Sequence, residues 1–577
     1  MPRIPRPPVP RLLLALMLCS LLLACTNGAG PTDTRVYDTL IIGGTVYDGS
    51  GGAGQRQDIG IRGDRIASIG DLSDATARQR IDAREMAVSP GFINMLSWAV
   101  QSLREDGRGI SDISQGVTLE VFGEGWSMGP VPPTGLDSST ARDLNLQAGE
   151  FPPWRSLGEY LQQLEDRGVA PNVASFVGAT TLRIHEIGMQ NRAPSAQELA
   201  RMQELARQAM REGAMGLGSS LIYPPAFFAS TEELIALAQA VAEYDGLYIS
   251  HLRSEGKRLP QAIEELLRIA READVRAEIY HLKVAGRDNW DSFDRVIAQI
   301  EAARAAGIDV GANIYTYPAG ATGLSASLPP WTGEGGIDAR VARLVDPLLR
   351  ERILAEMRAQ QDAWENLLLA AGAEGVLLSG FDKPALAHYA GRTLADVAKE
   401  RKQSPEETVL DLIVEDHSRV DAIYFLMSEE NVARKMALPW VSFGSDAGTY
   451  SAAGDDLSKV VHPRAYGTFA RVLGRYSRQE QRLSLSDAVR RLSGLPASRL
   501  GLKQRGLLRE GNFADIVVFD PRTVGDRASF AAPHQLASGV GQVMVNGELV
   551  WADGAATGRL PGRFVKGPGY QARRSAP

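Results

Sequence analysis

The segment LYISHLRSEGKRLPQAIEELLRIAREADVRAEIYHLK, residues 247–283, contains two short apolar runs on either side of an amphipathic stretch. Apolar residues recur at helical spacing within that stretch: Ile263, Leu266, Leu267 and Ala270. The first apolar run ends on His251 and the second leads into His281. The segment therefore predicts a strand, a helix and a second strand, with the two histidines at the carboxyl ends of successive parallel strands.

The same alternation of short apolar runs and helical stretches continues through the central part of the chain. Eight runs are candidate strands: AVSPGFIN (87–94), GVTLEVFGE (116–124), NVASFVGA (172–179), AMGLGSS (214–220), GLYISH (246–251), RAEIYHLK (276–283), IDVGANIY (308–315) and WVSFGSD (440–446). Repeated strand and helix units favour a parallel sheet that closes on itself. We predict an α/β fold with a TIM-type (β/α)8 barrel over residues 91–500.

Shorter β patterns occupy both ends of the chain. YDTLIIGGTVYDGSG (37–51) and DIGIRGDRIASIGD (58–71) alternate apolar stretches with glycine turns, and NFADIVVFDP (512–521) and GQVMVNGELV (541–550) have the same character. We predict one small β-sandwich built from residues 36–90 and 501–567. Residues 568–577 are predicted to form a tail.

The connection over about residues 328–427 is much longer than an ordinary barrel crossover. Much of it, such as ARVARLVDPLLRERILAEMRAQQDAWENLLLAAG (339–372), is strongly helical in composition. We predict a helical insertion over the mouth of the barrel. A purely structural elaboration is the alternative.

The first 24 residues have the pattern of a lipoprotein signal peptide. Three arginines precede a leucine-rich run that is too short for a permanent membrane span. The run ends in Leu22, Leu23, Ala24 and Cys25, which resembles the lipobox of bacterial lipoproteins. We expect lipidation at Cys25, a tether over residues 25–35, and a periplasmic or surface-exposed location in the bacterial cell envelope. An ordinary signal peptide with an incidental Cys25 is the alternative.

The composition excludes several kinds of partner and site. The formal net charge of -7, without a basic stripe, argues against nucleic-acid binding. The other cysteine, Cys19, lies in the removable segment, so we expect neither disulfides nor cysteine metal ligands in the mature chain. Membrane contact is expected only through the lipid anchor. The sequence does not indicate an oligomeric state.

The residues after the strands predict a hydrolytic metal site. His251 and His281 are candidate metal ligands, and Glu124, in EVFGEGWSMGP (120–130), is a candidate third donor. Asp446, in WVSFGSDAG (440–448), is a candidate acid that takes a proton from metal-bound water and hands it to a departing amine. The alternatives are structural histidines, a surface turn carrying Glu124 and a helix N-cap at Asp446.

Cationic and aromatic residues nearby are candidates for substrate binding. Lys283 lies two positions after His281, so strand alternation puts both side chains on the same side. Arg464, in HPRAYGTFARVLG (462–474), has the geometry to grip a carboxylate with two hydrogen bonds. Tyrosines are further candidates for lining the pocket, with core packing as their alternative: Tyr223, Tyr315 and Tyr317.

At these residues the sequence resembles the amidohydrolase superfamily and, within it, the D-aminoacylase or N-acyl-D-amino-acid deacylase family. The matching segments run from about Tyr37 to Gly567: SPGFIN, GAMGLGSSLIYPP, YISHLRSEG, IYHLKVAG, YTYPAGATGL, FGSDAG, HPRAYGTFARVLG and ADIVVFDP. The resemblance implies zinc-dependent removal of an acyl group from an N-acyl-D-amino acid. It also implies zinc-ligand histidines at 251 and 281, a catalytic acid at 446, and substrate-binding residues at 283, 223 and 464.

Two departures from the family pattern bear on the metal. The usual His, any residue, His pair after the first strand is replaced by Leu96 and Trp98, and Glu124 stands in place of a cysteine ligand. We therefore predict one tightly bound zinc ion rather than two. A related amidohydrolase acting on D-dipeptides or cyclic imides is an alternative, and a catalytically inactive binding or scaffold barrel is another.

Overall fold

The computed structural model describes residues 36–136, 149–360 and 362–571. The predicted signal peptide, Cys25, the tether and residues 572–577 lie outside the described residues. Within those ranges, none of the helices has the length and apolar character needed to cross a membrane.

Eight parallel strands form the wall of a closed barrel. They are Phe92–Asn94, Val117–Phe122, Asn172–Ser175 with its continuation Val177–Gly178, Gly216–Ser220, Leu247–His251, Arg276–Ile279, Val310–Ile314 and Val441–Phe443. The first and last strands are joined by backbone hydrogen bonds, in which Met95 N–H donates to the Phe443 carbonyl at 3.2 Å and Asp446 N–H donates to the Leu96 carbonyl at 2.8 Å. The predicted (β/α)8 barrel is confirmed.

Helices surround this wall. The main ones are Leu157–Arg167, Ala179–Ile187, Ala196–Glu212, Thr231–Ala242, Leu259–Ala273, Phe293–Ala305, Arg464–Arg471, Leu485–Leu492 and Gly494–Arg499, with shorter helices at Ser102–Glu105, Ile110–Ile113 and Glu429–Arg434. Leu259–Ala273 begins with Pro260 in its first turn and buries Ile263, Leu266 and Leu267, as its spacing predicts. Ser156 and Ser195 each cap a helix through a reciprocal capping box.

Strand alternation separates the inside of the barrel from its outside. Leu119 and Val121 pack in a cluster with Ile93 and Ile249 from other strands of the wall. Phe122 belongs to the larger cluster that includes the surrounding helices. Since successive side chains of a strand point to opposite faces, residue 120 lies on the helix side of the wall.

The small β unit combines both ends of the chain. Its nine strands are Val36–Val46, Gln55–Arg62, Arg65–Gly70, Thr76–Asp82, Ala87–Pro90, Ile516–Phe519, Val540–Val545, Glu548–Ala552 and Ala555–Ala556, all joined in one hydrogen-bonded sheet. Ile516–Phe519 pairs antiparallel with Ala87–Pro90, which links the two ends. Ile516 and Val518 pack in the core of this unit, whereas Val517 and Phe519 pack against the barrel.

One predicted strand, AVSPGFIN, is divided between the two units. Ala87–Pro90 belongs to the small sheet and Phe92–Asn94 to the barrel. Gly91 lies at the division, where a Cβ atom would meet the Thr118 hydroxyl oxygen at 2.0 Å. The chain therefore crosses from one sheet to the other at a point that has no space for a side chain.

The insertion contains the predicted helices and two strands of an unpredicted sheet, whose third strand, Gly320–Gly323, precedes it. The helices are Gly336–Val345, Pro347–Arg358, Leu367–Ala371, Leu394–Arg401 and Pro405–Asp416. Three antiparallel strands accompany them in the order Gly320–Gly323, Asp421–Tyr424 and Val376–Gly380. These strands have only four or five residues, and the sequence GATG of the first has little strand character.

Candidate metal centre

The three predicted metal ligands meet at the mouth of the barrel. Glu124 follows the strand Val117–Phe122, His251 ends its own strand, and His281 follows Ile279 by two residues. All three are buried, with 5%, 4% and 2% of their surface exposed. The carboxyl ends of parallel barrel strands lie at one rim, which explains why residues so far apart in sequence come together.

The donor atoms of these residues converge on the Glu124 carboxylate. Glu124 Oε1 lies 3.0 Å from His251 Nδ1 and 2.7 Å from His281 Nε2. One ligand atom from each residue lies within 4.8 Å of the other two. The two imidazole rings pack edge to face with their centroids 4.5 Å apart. Two nitrogens and one carboxylate oxygen are a donor set that zinc accepts, and they leave one tetrahedral position to a non-protein ligand.

Glycines and a tryptophan fix the Glu124 carboxylate. Gly123 and Gly125 have φ values of 106° and 74°, and a Cβ atom on Gly125 would meet the Ser220 hydroxyl oxygen at 2.2 Å. Trp98 Nε1–H donates to Glu124 Oε2 at 2.8 Å. The sequence identified Trp98 only as a position that cannot bind metal. Its role as a donor to the third ligand depends on a contact that the sequence does not display.

A second carboxylate, Glu255, lies behind the histidines. Glu255 Oε1 is 3.0 Å from His281 Nδ1 and 2.9 Å from Lys283 Nζ, and Glu255 Oε2 is 3.7 Å from His251 Nε2. A carboxylate on the far nitrogen of a metal-binding imidazole sets its tautomer and orientation. Sequence reasoning missed Glu255, although it lies in the quoted YISHLRSEG segment, four positions after His251.

The charges of this cluster favour a cation. Burial would raise the pKa of Glu124, but the neighbouring His281 and His251 hold it well below its usual range. Burial and Lys283 would lower the pKa of His281, yet the carboxylates of Glu255 and Glu124 raise it to about 9. A metal ion would bind the neutral imidazole and displace the proton of His281. Three carboxylates would then face two cationic side chains: Glu124, Glu255 and Asp446 against Lys283 and Arg464. The residues present therefore fit a divalent ion.

Asp446 lies in the loop after the last barrel strand. Arg464 Nη1 donates to Asp446 Oδ2 at 2.6 Å, and both side chains are buried. Burial raises the pKa of Asp446, although Arg464 opposes the rise. Trp98 N–H donates to the Ala447 carbonyl, so the residue that holds Glu124 also holds this loop. No helix begins directly after Asp446, which excludes the N-cap alternative.

The two predicted substrate-binding cations, Lys283 and Arg464, each form an ion pair within the protein. Lys283 pairs with Glu255, and Arg464 pairs with Asp446, so each cation has an internal carboxylate partner. The Tyr315 ring is close to both cations, with its centroid 5.5 Å from Lys283 Nζ and 4.7 Å from Arg464 Cζ.

Of the predicted tyrosines, Tyr223 lies beside the metal ligands and Tyr317 does not. The Tyr223 ring centroid is 5.3 Å from that of His251. The Tyr317 hydroxyl donates to Asp526 Oδ2 at 3.2 Å, and its place in the substrate pocket stays a prediction. The strand Val310–Ile314 ends before both residues, so the chain has turned by residue 317. Tyr315, which was also predicted, has its ring centroid 6.4 Å from that of His281.

Comparisons with known proteins agree with this architecture. Residues 113–551 match the model of the amidohydrolase family. The chain is 37% identical to the D-aminoacylase of Alcaligenes xylosoxydans xylosoxydans, over 92% of this chain and 98% of that protein.

Two solved structures are similar over nearly their whole length. One is a D-aminoacylase studied for its binuclear metal centre, with one-metal activation and second-metal attenuation. Its TM-score is 0.76 and its sequence is 36% identical, and the match covers 92% of this chain and 100% of that one. The other is the N-acyl-D-glutamate deacylase of Bordetella bronchiseptica with zinc and a phosphonate inhibitor, with a TM-score of 0.76, 31% identity, and coverage of 92% and 99%. Together with its barrel and its family match, these similarities show that the chain belongs to the amidohydrolase family.

Proposed function

We propose that this protein is a zinc-dependent hydrolase that removes the acyl group from N-acyl-D-amino acids. The observation that carries the proposal is the convergence of Glu124, His251 and His281 at the barrel mouth. The similarity to D-aminoacylase and to N-acyl-D-glutamate deacylase over most of the chain supports the substrate class.

Glu124, His251 and His281 would hold one ion. A zinc ion there would polarise the amide carbonyl and lower the pKa of the attacking water. The indole of Trp98 already donates to Glu124 Oε2, so one of the acceptor positions of that oxygen is occupied. Neither Leu96 nor Trp98 has a side chain that can coordinate metal.

We propose that Asp446 moves the proton during hydrolysis. In the attack step its carboxylate accepts a proton from water as the water oxygen bonds to the amide carbon. In the second step it returns that proton to the amide nitrogen as the carbon–nitrogen bond breaks, which releases a carboxylic acid and a free amino acid. Burial, which raises the pKa of Asp446, brings its proton affinity closer to that required at neutral pH. Arg464 fixes the orientation of the carboxylate.

Lys283 and Arg464 are proposed to bind the free carboxylate of the substrate, and Tyr223, beside His251, is proposed to contact the substrate as well. Both cations are buried and lie within 5.5 Å of the centroid of the Tyr315 ring. Turnover of matched acid and amide substrates tests this assignment. Esterified or amidated substrates are expected to be poor, and equal rates for the two forms would remove these roles.

We further propose that Cys25 carries a lipid that anchors the protein in the bacterial cell envelope. The support is the order Leu22, Leu23, Ala24 and Cys25 after an arginine-flanked apolar run. A Cys25→Ser variant is expected to leave the detergent phase on phase separation. An unchanged distribution would favour an ordinary signal peptide.

The decisive experiment is a substrate panel on the mature protein with and without zinc. The proposal expects turnover of N-acyl-D-amino acids, much slower turnover of the L enantiomers, and about one zinc per chain. Hydrolysis of only D-dipeptides or cyclic imides would identify a different amidohydrolase. A protein that never retains stoichiometric metal would instead support a scaffold.

A further inference from the structure

The insertion contacts the turn that follows His251 through the half-buried side chain of Glu365. Glu365 Oε1 accepts three hydrogen bonds from the turn that follows His251: from Ser254 Oγ at 2.8 Å, from Glu255 N–H at 2.5 Å, and from Gly256 N–H. The turn and Glu365 are separated by more than 100 positions in the sequence.

The insertion holds Glu365 firmly from its own side. Asn366 caps the helix Leu367–Ala371 and donates through Nδ2 to the Met357 carbonyl at 2.8 Å. A cavity of about 330 Å³ lies between the insertion and the turn, lined on the two sides by residues such as Trp364 and Arg258. Beside it, Lys257 Nζ donates to Asp362 Oδ1 at 2.8 Å and Arg258 Nη1 donates to the Asp362 carbonyl at 3.2 Å, so polar contacts also join the two segments.

Glu255 is the residue that this contact holds in place. Its N–H donates to Glu365, and its carbonyl accepts from Ala285 N–H at 2.8 Å. Its carboxylate lies against His281 Nδ1 and Lys283 Nζ. If the backbone at Glu255 rotated, the Glu255 carboxylate would move away from His281 Nδ1 and Lys283 Nζ.

We propose that Glu365 is a positioning residue, which fixes the backbone of Glu255 so that the Glu255 carboxylate orients His281 and Lys283. The inference rests on the proposed function for the roles of those two residues. It makes the insertion a working part of the metal centre, because a side chain from the insertion supports the carboxylate behind a metal ligand. Loss of such outer partners weakens metal binding or activity about 10- to 100-fold in other metal sites.

Three variants separate this role from a merely structural one. Glu365→Ala removes the acceptor, whereas Glu365→Gln keeps an acceptor oxygen. Burial and repulsion by Glu255 raise the pKa of Glu365 to about 7, so the uncharged amide is a close substitute near neutral pH. Asp362→Asn is the matched control, because it removes only an exposed ion pair to Lys257 from the same segment.

The measurements are zinc affinity by chelator competition, kcat and KM, and hydrogen exchange in the zinc-free protein. Glu365→Ala is expected to weaken zinc binding about tenfold and to speed exchange at Glu255, Gly256 and, through Glu255, at Ala285. Glu365→Gln and Asp362→Asn are expected to stay within about twofold of wild type. Wild-type zinc affinity in Glu365→Ala, or faster exchange that stops at Gly256, would overturn the proposal.

Two further variants test the role of Glu365 independently. Gly256→Ala places a Cβ atom 3.0 Å from Glu365 Oε1 and should weaken zinc binding in the same direction without altering Glu365. In a Glu255→Ala background, Glu365→Ala should add less than about a twofold further loss, because the two residues act in series. If the losses of zinc affinity in Glu255→Ala and Glu365→Ala were fully additive in the double variant, the proposal would be contradicted. Exchange at Ala285 needs neither zinc nor turnover, so it decides the point even if the deacylase assignment fails.

Discussion

Two glutamates at the end of one barrel strand are buried alike but have opposite surroundings. Glu124 lies at the barrel mouth against two imidazoles, and its pKa is well below the usual range. Glu120, four residues earlier, lies behind the wall, and burial raises its pKa to about 7 even though Ser97 and Asn94 donate to it. Burial opposes ionisation at both positions, and only a neighbouring positive charge reverses its effect.

The region around Glu120 supports the site instead of performing chemistry. Asn94 Nδ2 donates to Glu120 Oε2 and to Ser445 Oγ, each at 2.8 Å, and thereby braces the loop that carries Asp446. Burial, together with repulsion by Glu120, also raises the pKa of Asp112 behind the wall. In the described part of the chain, no ion pair joins Glu120 to a lysine, arginine or histidine.

Glu124→Gln tests the contrast most strongly. It replaces an anionic donor by a neutral amide, so zinc occupancy should collapse and kcat/KM should fall about 10⁴-fold, which corresponds to several kcal/mol of transition-state stabilisation. Glu120→Gln is the matched control and should retain zinc and activity within about threefold, since its position takes no part in the donor set. Zinc content and steady-state kinetics measure both. Equal losses in the two variants would contradict the division of roles.

Asp446→Asn tests whether the carboxylate of Asp446, in the loop that Asn94 contacts through Ser445, transfers the proton. We expect kcat to fall about 10²- to 10⁴-fold, the usual contribution of a positioned acid or base. Zinc content should remain near wild type, because Asp446 is not among the three converging donors. A variant that loses zinc together with activity would show that Asp446 binds the ion.

Trp98→Phe measures how far Glu124 depends on its hydrogen-bond donor. Phenylalanine keeps most of the apolar contact but removes the N–H that donates to Glu124 Oε2. Zinc affinity is expected to weaken about 10- to 100-fold, the range found for other outer partners of metal ligands. Chelator competition provides the measurement. If the variant instead bound two ions at wild-type affinity, a blocking role of Trp98 would be supported over a positioning role.

The raised pKa of Glu120 predicts a smaller effect, a dependence of the folding stability on pH. Its folded-state pKa, about 7, lies above the ordinary 4.5, so between these values the folded protein binds more protons than the unfolded chain. The free energy of unfolding therefore falls with rising pH in this window, by up to about 1.4 kcal/mol per pH unit. Glu120→Gln removes this dependence. Its stability relative to wild type should rise from pH 5 to pH 7 in denaturant titrations, and a constant difference would refute the shift.

The barrel and its site were predictable to different extents. All eight predicted runs contain barrel strands, because apolar runs and helical spacing are local properties of the chain. The insertion was predicted as helical, but the three-stranded sheet was not predicted, since short strands with glycine carry little local signal. The roles assigned to the individual site residues stay predictions until the variants above are measured.

The order of the residues by itself determined which side chains gather at the barrel mouth. Parallel strands have their carboxyl ends at one rim, so His251, His281 and Glu124 had to approach one another once the strands were identified. Only the tertiary structure decided what stands behind them. Trp98, Glu255 and Glu365 act through contacts between loops, in which side-chain direction and packing determine the partner, and strand periodicity does not extend into loops.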